Sequence, residues 1–386
     1  MTNEVLETMH KAIRGGEDGD IWRPHESPLI RKLVELFTQR GLLHLGNVRE
    51  AIEAWELGKN QKAGKPQPKP QVGMMQVWTE EERELVDLYL RVLPFDQWTL
   101  DDHFLAVELT VQTYMPKDVL IAEADWLATK ATLLGKVQAN WEKELTANDA
   151  AKLLMALPNT KEESGGVPLT KIEKTTLDFA SARAAENVVN LADNTRKMMR
   201  GVIMRSEERK QLGQPGTQQA LQQELFDNFA QLNRDWRRIA VTEAGECQLQ
   251  GFIAACEPMS KVKRVEMYGT ACPFCKKIHG KIATVVPADY PNKDPATMIW
   301  PGKNNIGRSA SPYKRVAGKL VKRSEDELWQ LPAGLAHPHC RGRWVATTKA
   351  QPGDDPDFAA LLEKILASRI CVVTAEFKHV LKGQTP

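Results

Sequence analysis

The chain has no long apolar run, and no stretch approaches the ~20 residues needed to cross a bilayer. Its opening, MTNEVLETMHKAIRGGEDGD, lacks the apolar core of a secretory signal. Together these absences argue against a helical membrane protein and give the expectation of a protein made and kept in a cytoplasm, with no membrane partner. No internal repeat of the length that marks a solenoid or propeller is visible. Cysteine is scarce, with 6 in 386 residues. In a reducing compartment so few thiols are a poor basis for structural disulfides, which leaves metal ligation as the better use for those that cluster.

What is present is an ordinary globular composition, 42% hydrophobic. Its length is enough for two or three domains at roughly 150 residues each. The net charge of +2 hides an asymmetry. Residues 261–350 hold 17 Lys and Arg against 6 Asp and Glu, so a basic segment sits in a mildly acidic remainder.

Residues 1–157 read as a helical region. Ser27-Pro28 predicts a helix start, with Ile30, Leu33, Val34 and Phe37 on one face and Gly41 as a stop. A second helix is expected from Asn47. Thr79 with Glu82 forms a capping box, and Thr146 to Leu157 predicts a further helix ended by Pro158. Residues 62–73, with three prolines and no aromatic, predict an extended linker. Residues 169–257 read as two long amphipathic helices around GQPG, packed as an antiparallel hairpin. From 258 to 350 the pattern turns strand-like. Val262, Arg264, Glu266 and Tyr268 alternate with Lys263, Val265 and Met267, and further strands are expected over Ile282 to Val286 and Arg343 to Thr348. Residues 351–386 complete the chain as a helix and tail. The fold class is mainly α with a small α+β module.

The clearest chemical signal is Cys272-x2-Cys275 followed far downstream by His337-x2-Cys340. Two chelating pairs of soft or borderline donors are how a chain builds a closed tetrahedral zinc site, stapling a sheet too small to hold itself. His339 and His279 are competing ligands. Four protein donors leave no open coordination position, so a structural zinc is expected. A Cys340 nucleophile with His337 as base finds no recognisable oxyanion motif, and His279-Gly280 has no acid or second histidine beside it for a nuclease. No enzyme is expected. Cys247, Cys256 and Cys371 read as reduced thiols.

Between the ligand pairs, an insertion at 291–332 carries Lys303, Arg308, Lys314, Arg315, Lys319, Lys322 and Arg323, with no acidic residue from Lys303 to Arg323. This segment is either a flexible, solvated loop or a phosphate-contacting one.

In order, the helix ending WRRIAVTEAGE, the strand VKRVEMYG, CPFC with a following HG, HPHC-R and a closing strand resemble the phage head morphogenesis family, the Mu F-like minor head proteins. The resemblance covers Leu169 to about Thr348. It departs from the family's His-Pro-x-Cys-Arg-Cys ending, because Gly342 stands at the last cysteine position. It implies a structural protein held in few copies in the virion head near the portal vertex, present in host cytoplasm during assembly. Its implied partners are the portal protein, the major capsid protein and packaged DNA, and its implied role is in procapsid assembly and DNA packaging or delivery. It also marks Thr242 and Glu243 as a hydrogen-bonding pair where helix meets zinc module. The alternative is a cytoplasmic zinc-containing protein that binds DNA without reading its sequence.

Overall fold

The computed structural model describes residues 27–367 apart from 75, 142–144, 267–270 and 348–354. Most of them are helical, and a small sheet lies toward the C-terminus. In chain order the helices are α1 (Pro28–Glu56), α2 (Glu80–Val92), α3 (Leu100–Tyr114), α4 (Lys117–Asn140), α5 (Ala147–Ala156), α6 (Lys171–Gln211) and α7 (Thr217–Ala255). Then follow β1 (Lys261–Val265), α8 (Pro273–Ile278), β2 (Ile282–Val285), β3 (Met298–Ile299), β4 (Tyr313–Val316), β5 (Lys319–Lys322), β6 (Arg343–Ala346) and α9 (Pro356–Ala367). No helix among the described residues is long and apolar enough to cross a membrane.

The local signals act where they stand. At α2 the Thr79 hydroxyl accepts the Glu82 N–H and the Glu82 carboxylate accepts the Thr79 N–H, satisfying two donors that the first turn leaves open. Thr146 and Asp149 do the same at α5. Residues 62–69 have no regular structure and are exposed, in keeping with the proline-rich composition.

Gly41 does not stop the first helix. α1 runs through it to Glu56 and absorbs the second helix expected from Asn47. A Cβ at Gly41 would overlap the Trp236 indole, so glycine serves a close approach there rather than a terminus. Trp236 stacks on Phe37 at 5.1 Å between ring centroids and donates its Nε1–H to the Phe37 carbonyl at 2.8 Å.

The residues fall into two compact units. One contains Leu36–Ala124 and Arg183–Ala240. Its interior includes a cluster of Trp55, Trp78 and Trp98 packed with Val86, Leu90, Leu105 and Leu109. The facing parts of α6 and α7 are joined by a short turn and pinned by Arg205 and Arg209 on Glu224, at 2.9 and 2.6 Å, as the expected hairpin requires. His103 is buried between Glu56, 3.0 Å from its Nδ1, and Glu207, 3.7 Å from its Nε2.

The second unit contains Asp125–Ala182 and the residues from Val241 onward. Its sheet has the order β3-β2-β1-β6, with β1 antiparallel to β2 and β6, and β2 parallel to β3. The three expected strands are present, and the two-residue β3 is an addition. Tyr268, Met267 and Thr348 lie outside the described residues. Val262 and Arg264 point to the buried side while Lys261 and Lys263 stay exposed, the alternation a half-buried strand demands. Val262, Val285, Ile299 and Trp344 join Leu249, Phe252 and Ile253 of α7 in one core, which also takes in Cys275 and Cys340. The basic insertion is an ordered hairpin of β4 and β5 rather than a flexible loop.

Candidate metal centre

Cys272 is the N-cap of α8 with Pro273 at its first position, an arrangement that presents the thiol and fixes the turn. The Cys275 N–H donates back to the Cys272 sulfur at 3.4 Å. The second pair arrives on the segment before β6. His337 Nε2 lies 3.3 Å from both the Cys272 and Cys275 sulfurs, and Cys275 Sγ lies 3.7 Å from Cys340 Sγ. Bonds of about 2.1–2.3 Å to a tetrahedral ion place its donors about 3.6–3.8 Å apart. The spacings observed are at or a little inside that range. Cys272, Cys275 and His337 thus form one group of donors that could hold a metal ion, and Cys340 adjoins it through Cys275, in a second such group with Glu266.

The histidine is prepared for ligation. His337 Nδ1–H donates to the Pro338 carbonyl at 2.7 Å, which leaves the lone pair on Nε2, facing the thiols. Trp329 stacks on the ring at 5.4 Å, and Phe274 packs edge-on against Trp329, so the imidazole is held on its face as well. Neither competing histidine joins a group of metal-capable donors among the described residues. His279 Nδ1 accepts the Glu266 N–H at 3.0 Å. The backbone of His339 is in the left-handed region (φ 64°), and its N–H donates to the Thr242 hydroxyl at 3.2 Å.

Beneath Cys340 lies a fully buried ion pair. Arg264 donates through Nε to Glu266 at 2.8 Å and through one terminal nitrogen to the Gly334 carbonyl at 2.9 Å, while the other terminal nitrogen lies 3.7 Å from the Cys340 sulfur. A buried guanidinium is costly unless anions surround it. The Cys340 thiol is held well below its ordinary range. The Cys275 hydrogen bond acts most strongly, with help from the Arg264 charge and the backbone at Gly342 and Ala336, all against the opposing effect of burial. The thiolate is the form that ligates a metal. Cys256, by contrast, is pushed up to about 12 by burial, as expected of an inert reduced thiol. Cys247 is buried and Cys371 lies outside the described residues.

Gly342, where the resembling family has a cysteine, is filled from the other side. A Cβ there would run into the Glu266 carboxylate. A cysteine at this position and the Arg264–Glu266 pair compete for the same space.

α7 anchors the module along one stripe. Thr242 takes the His339 N–H, the Glu246 carboxylate takes the Leu335 N–H at 2.5 Å, and the Gln250 side-chain oxygen takes the Gly302 N–H at 2.9 Å. Positions four apart share a helix face, so two loop segments, one at Gly302 and one at Leu335 and His339, are tied to one helix at successive turns. Thr242 therefore does bond to the module, and Glu243 is buried beside it. Glu246, Gln250, Arg264 and Glu266 were not among the sequence candidates. Their signals are present, as an i, i+4, i+8 series of polar residues and as two charges at alternate positions, one on the buried face of β1 and one just after it.

The basic candidates separate. Lys303 is buried and donates to the carbonyls of Pro295 and Met298 at 2.6 and 2.7 Å, so it braces the loop and cannot contact phosphate. Arg308 donates to the carbonyls of Asp326 and Leu328. Lys314 and Arg323 both pair with Glu327. Arg315, Lys319 and Lys322 remain exposed on the hairpin.

Fold and site together define a mainly helical protein whose small C-terminal sheet carries a cluster of three cysteines and a histidine able to hold a metal ion. No family model, curated protein or solved structure matches the chain.

Proposed function

We propose that this chain is a minor head protein of a tailed bacteriophage or prophage, and that the ion held by Cys272, Cys275, His337 and Cys340 is a structural zinc. The observation that carries the reading is the way the resembling segments serve one another. The TEAGE end of the helix supplies Thr242 and Glu246 to the loops that bring His337 and Cys340 to the CPFC turn. Segments that are each weak as motifs are thus parts of one mechanical unit. Three thiols and an imidazole suit zinc by donor softness, and four protein ligands leave no place for a reactive water. The role is accordingly architectural: the metal holds the sheet, and the helical hairpin offers the surface on which portal or capsid subunits dock during procapsid assembly.

The test is mass spectrometry of density-purified particles from the genome encoding this chain, quantified against portal and major capsid proteins. Recovery at a low, fixed ratio to portal is expected. Absence from both procapsids and mature particles would overturn the reading. Stable co-purification with a portal oligomer separates it from a free DNA-binding protein, which has no reason to hold one.

A further inference from the structure

The insertion between the ligand pairs is a ribbon with both faces in solvent. β4 and β5 pair as Tyr313↔Lys322, Lys314↔Val321, Arg315↔Leu320 and Val316↔Lys319. They are closed by Ala317 and Gly318 at φ 48° and 81°, the backbone of a two-residue type I′ turn. Cross-strand partners share a face and successive residues alternate. One face therefore carries Tyr313, Arg315, Leu320 and Lys322, and the other Lys314, Val316, Lys319 and Val321. The apolar members are not packed away: Tyr313, Val316, Leu320 and Val321 are 50%, 49%, 68% and 42% exposed. A hairpin of this size is marginal alone in water. This one is tied at its base, where the Arg323 N–H donates to the Pro312 carbonyl at 2.9 Å and Lys314 pairs with Glu327. The side chains of Arg315, Lys319 and Lys322 make no hydrogen bond or ion pair among the described residues.

We propose that this ribbon binds duplex DNA by entering its major groove, with Arg315, Lys319 and Lys322 on backbone phosphates and Tyr313 and Leu320 against base edges. Three observations favour that ligand over an acidic protein surface. The charge is of one sign, with no acidic residue from Lys303 to Arg323. Each face mixes cations with apolar side chains, so a flat partner would cover one face and leave its equivalent wet, whereas a groove meets both. A major groove about 12 Å wide admits a two-stranded ribbon. Finally, Lys and Arg along both outer strands oppose pairing with another sheet, which sets aside strand addition by a protein. The proposal deepens the minor head reading, in which the duplex would be packaged DNA, yet it is tested on the purified chain alone and fails separately from virion recovery.

The experiment is fluorescence anisotropy of the full-length, zinc-loaded protein on a short labelled DNA duplex across a salt series. Each phosphate contact contributes about −0.9 to the slope of log affinity on log salt, so three predict about −2.7, a loss of about 40-fold between 50 and 200 mM. Seven contacts would give about −6. Arg315→Ala/Lys319→Ala/Lys322→Ala is expected to abolish the salt-dependent binding while keeping wild-type zinc content and circular dichroism. Leu320→Ser is expected to weaken affinity several-fold at an unchanged slope. Lys261→Ala/Lys263→Ala, which removes exposed charge from β1, is expected to change neither. No retention by the wild-type protein at 50 mM salt, an unchanged slope in the triple variant, or an equal loss in the β1 control would each overturn the proposal.

Discussion

The Thr242 hydroxyl accepts the backbone N–H of His339 at 3.2 Å, across 97 residues of sequence. His339 lies between His337 and Cys340 in a left-handed backbone conformation that a non-glycine residue adopts only when its surroundings enforce it. Thr242 is part of that enforcement. Thr242→Val keeps the shape and removes the acceptor, so the expected cost is about 1–2 kcal/mol. Competition with a chromogenic chelator should show zinc leaving about tenfold faster, and Thr242→Ser should restore the wild-type rate. A wild-type rate in Thr242→Val with a faster loss in Thr242→Ser would mean that packing of the methyl group, not the hydrogen bond, matters.

Gly342→Cys would give the chain the last cysteine of the motif it resembles. The added Cβ meets the Glu266 carboxylate, which in turn holds Arg264 against Cys340. Overpacking of this kind costs about 1–3 kcal/mol, and any displacement of Glu266 leaves a buried guanidinium less well paired. The expected result is a lower thermal midpoint with zinc stoichiometry no higher than wild type. Gly342→Ala should behave similarly, which separates the steric effect from any thiol chemistry.

Gly41→Ala tests whether Gly41 serves a close approach. At an unobstructed position inside a helix, alanine for glycine would stabilise by about 1 kcal/mol. Because Trp236 occupies the Cβ position, the expected change is a loss of about 1–3 kcal/mol in urea unfolding. The pair shows where the sequence is legible and where it is not. Thr79–Glu82 and Thr146–Asp149 act within four residues, so their capping is visible in the string itself. Gly41 and Trp236 are joined only by the fold, and glycine near a periodic run looks the same whether it ends a helix or admits an indole. The same limit applied at the metal centre. Two short chelating pairs announced themselves by spacing, while the preference for His337 over His339 and His279 depended on the fold, which sets the His337 Nε2 3.3 Å from the sulfurs of both Cys272 and Cys275.

Lys303 carries the clearest pH dependence outside the metal centre. Counted by composition it belongs with the basic residues of the insertion, yet its amine lies under Trp300, 4.7 Å from the ring centroid, and donates to two backbone carbonyls. Burial pushes its pKa down to about 8 from the ordinary 10.5, outweighing the charge of Asp294 that favours the protonated form. Between those values the unfolded chain binds the extra proton and the folded chain does not, so the Lys303 contribution to stability rises with pH from about 8 to about 10.5. Below that window the folded protein bears the cost of a charged, largely desolvated ammonium. Urea midpoints measured from pH 7 to pH 10 should climb for the wild-type protein relative to Lys303→Met, whose side chain has nothing to titrate. Lys303→Met also leaves the Pro295 and Met298 carbonyls without this donor, so it should be less stable than wild type at the alkaline end, by about 1–3 kcal/mol. A flat difference between the two curves across the window would show that the amine is solvated rather than buried.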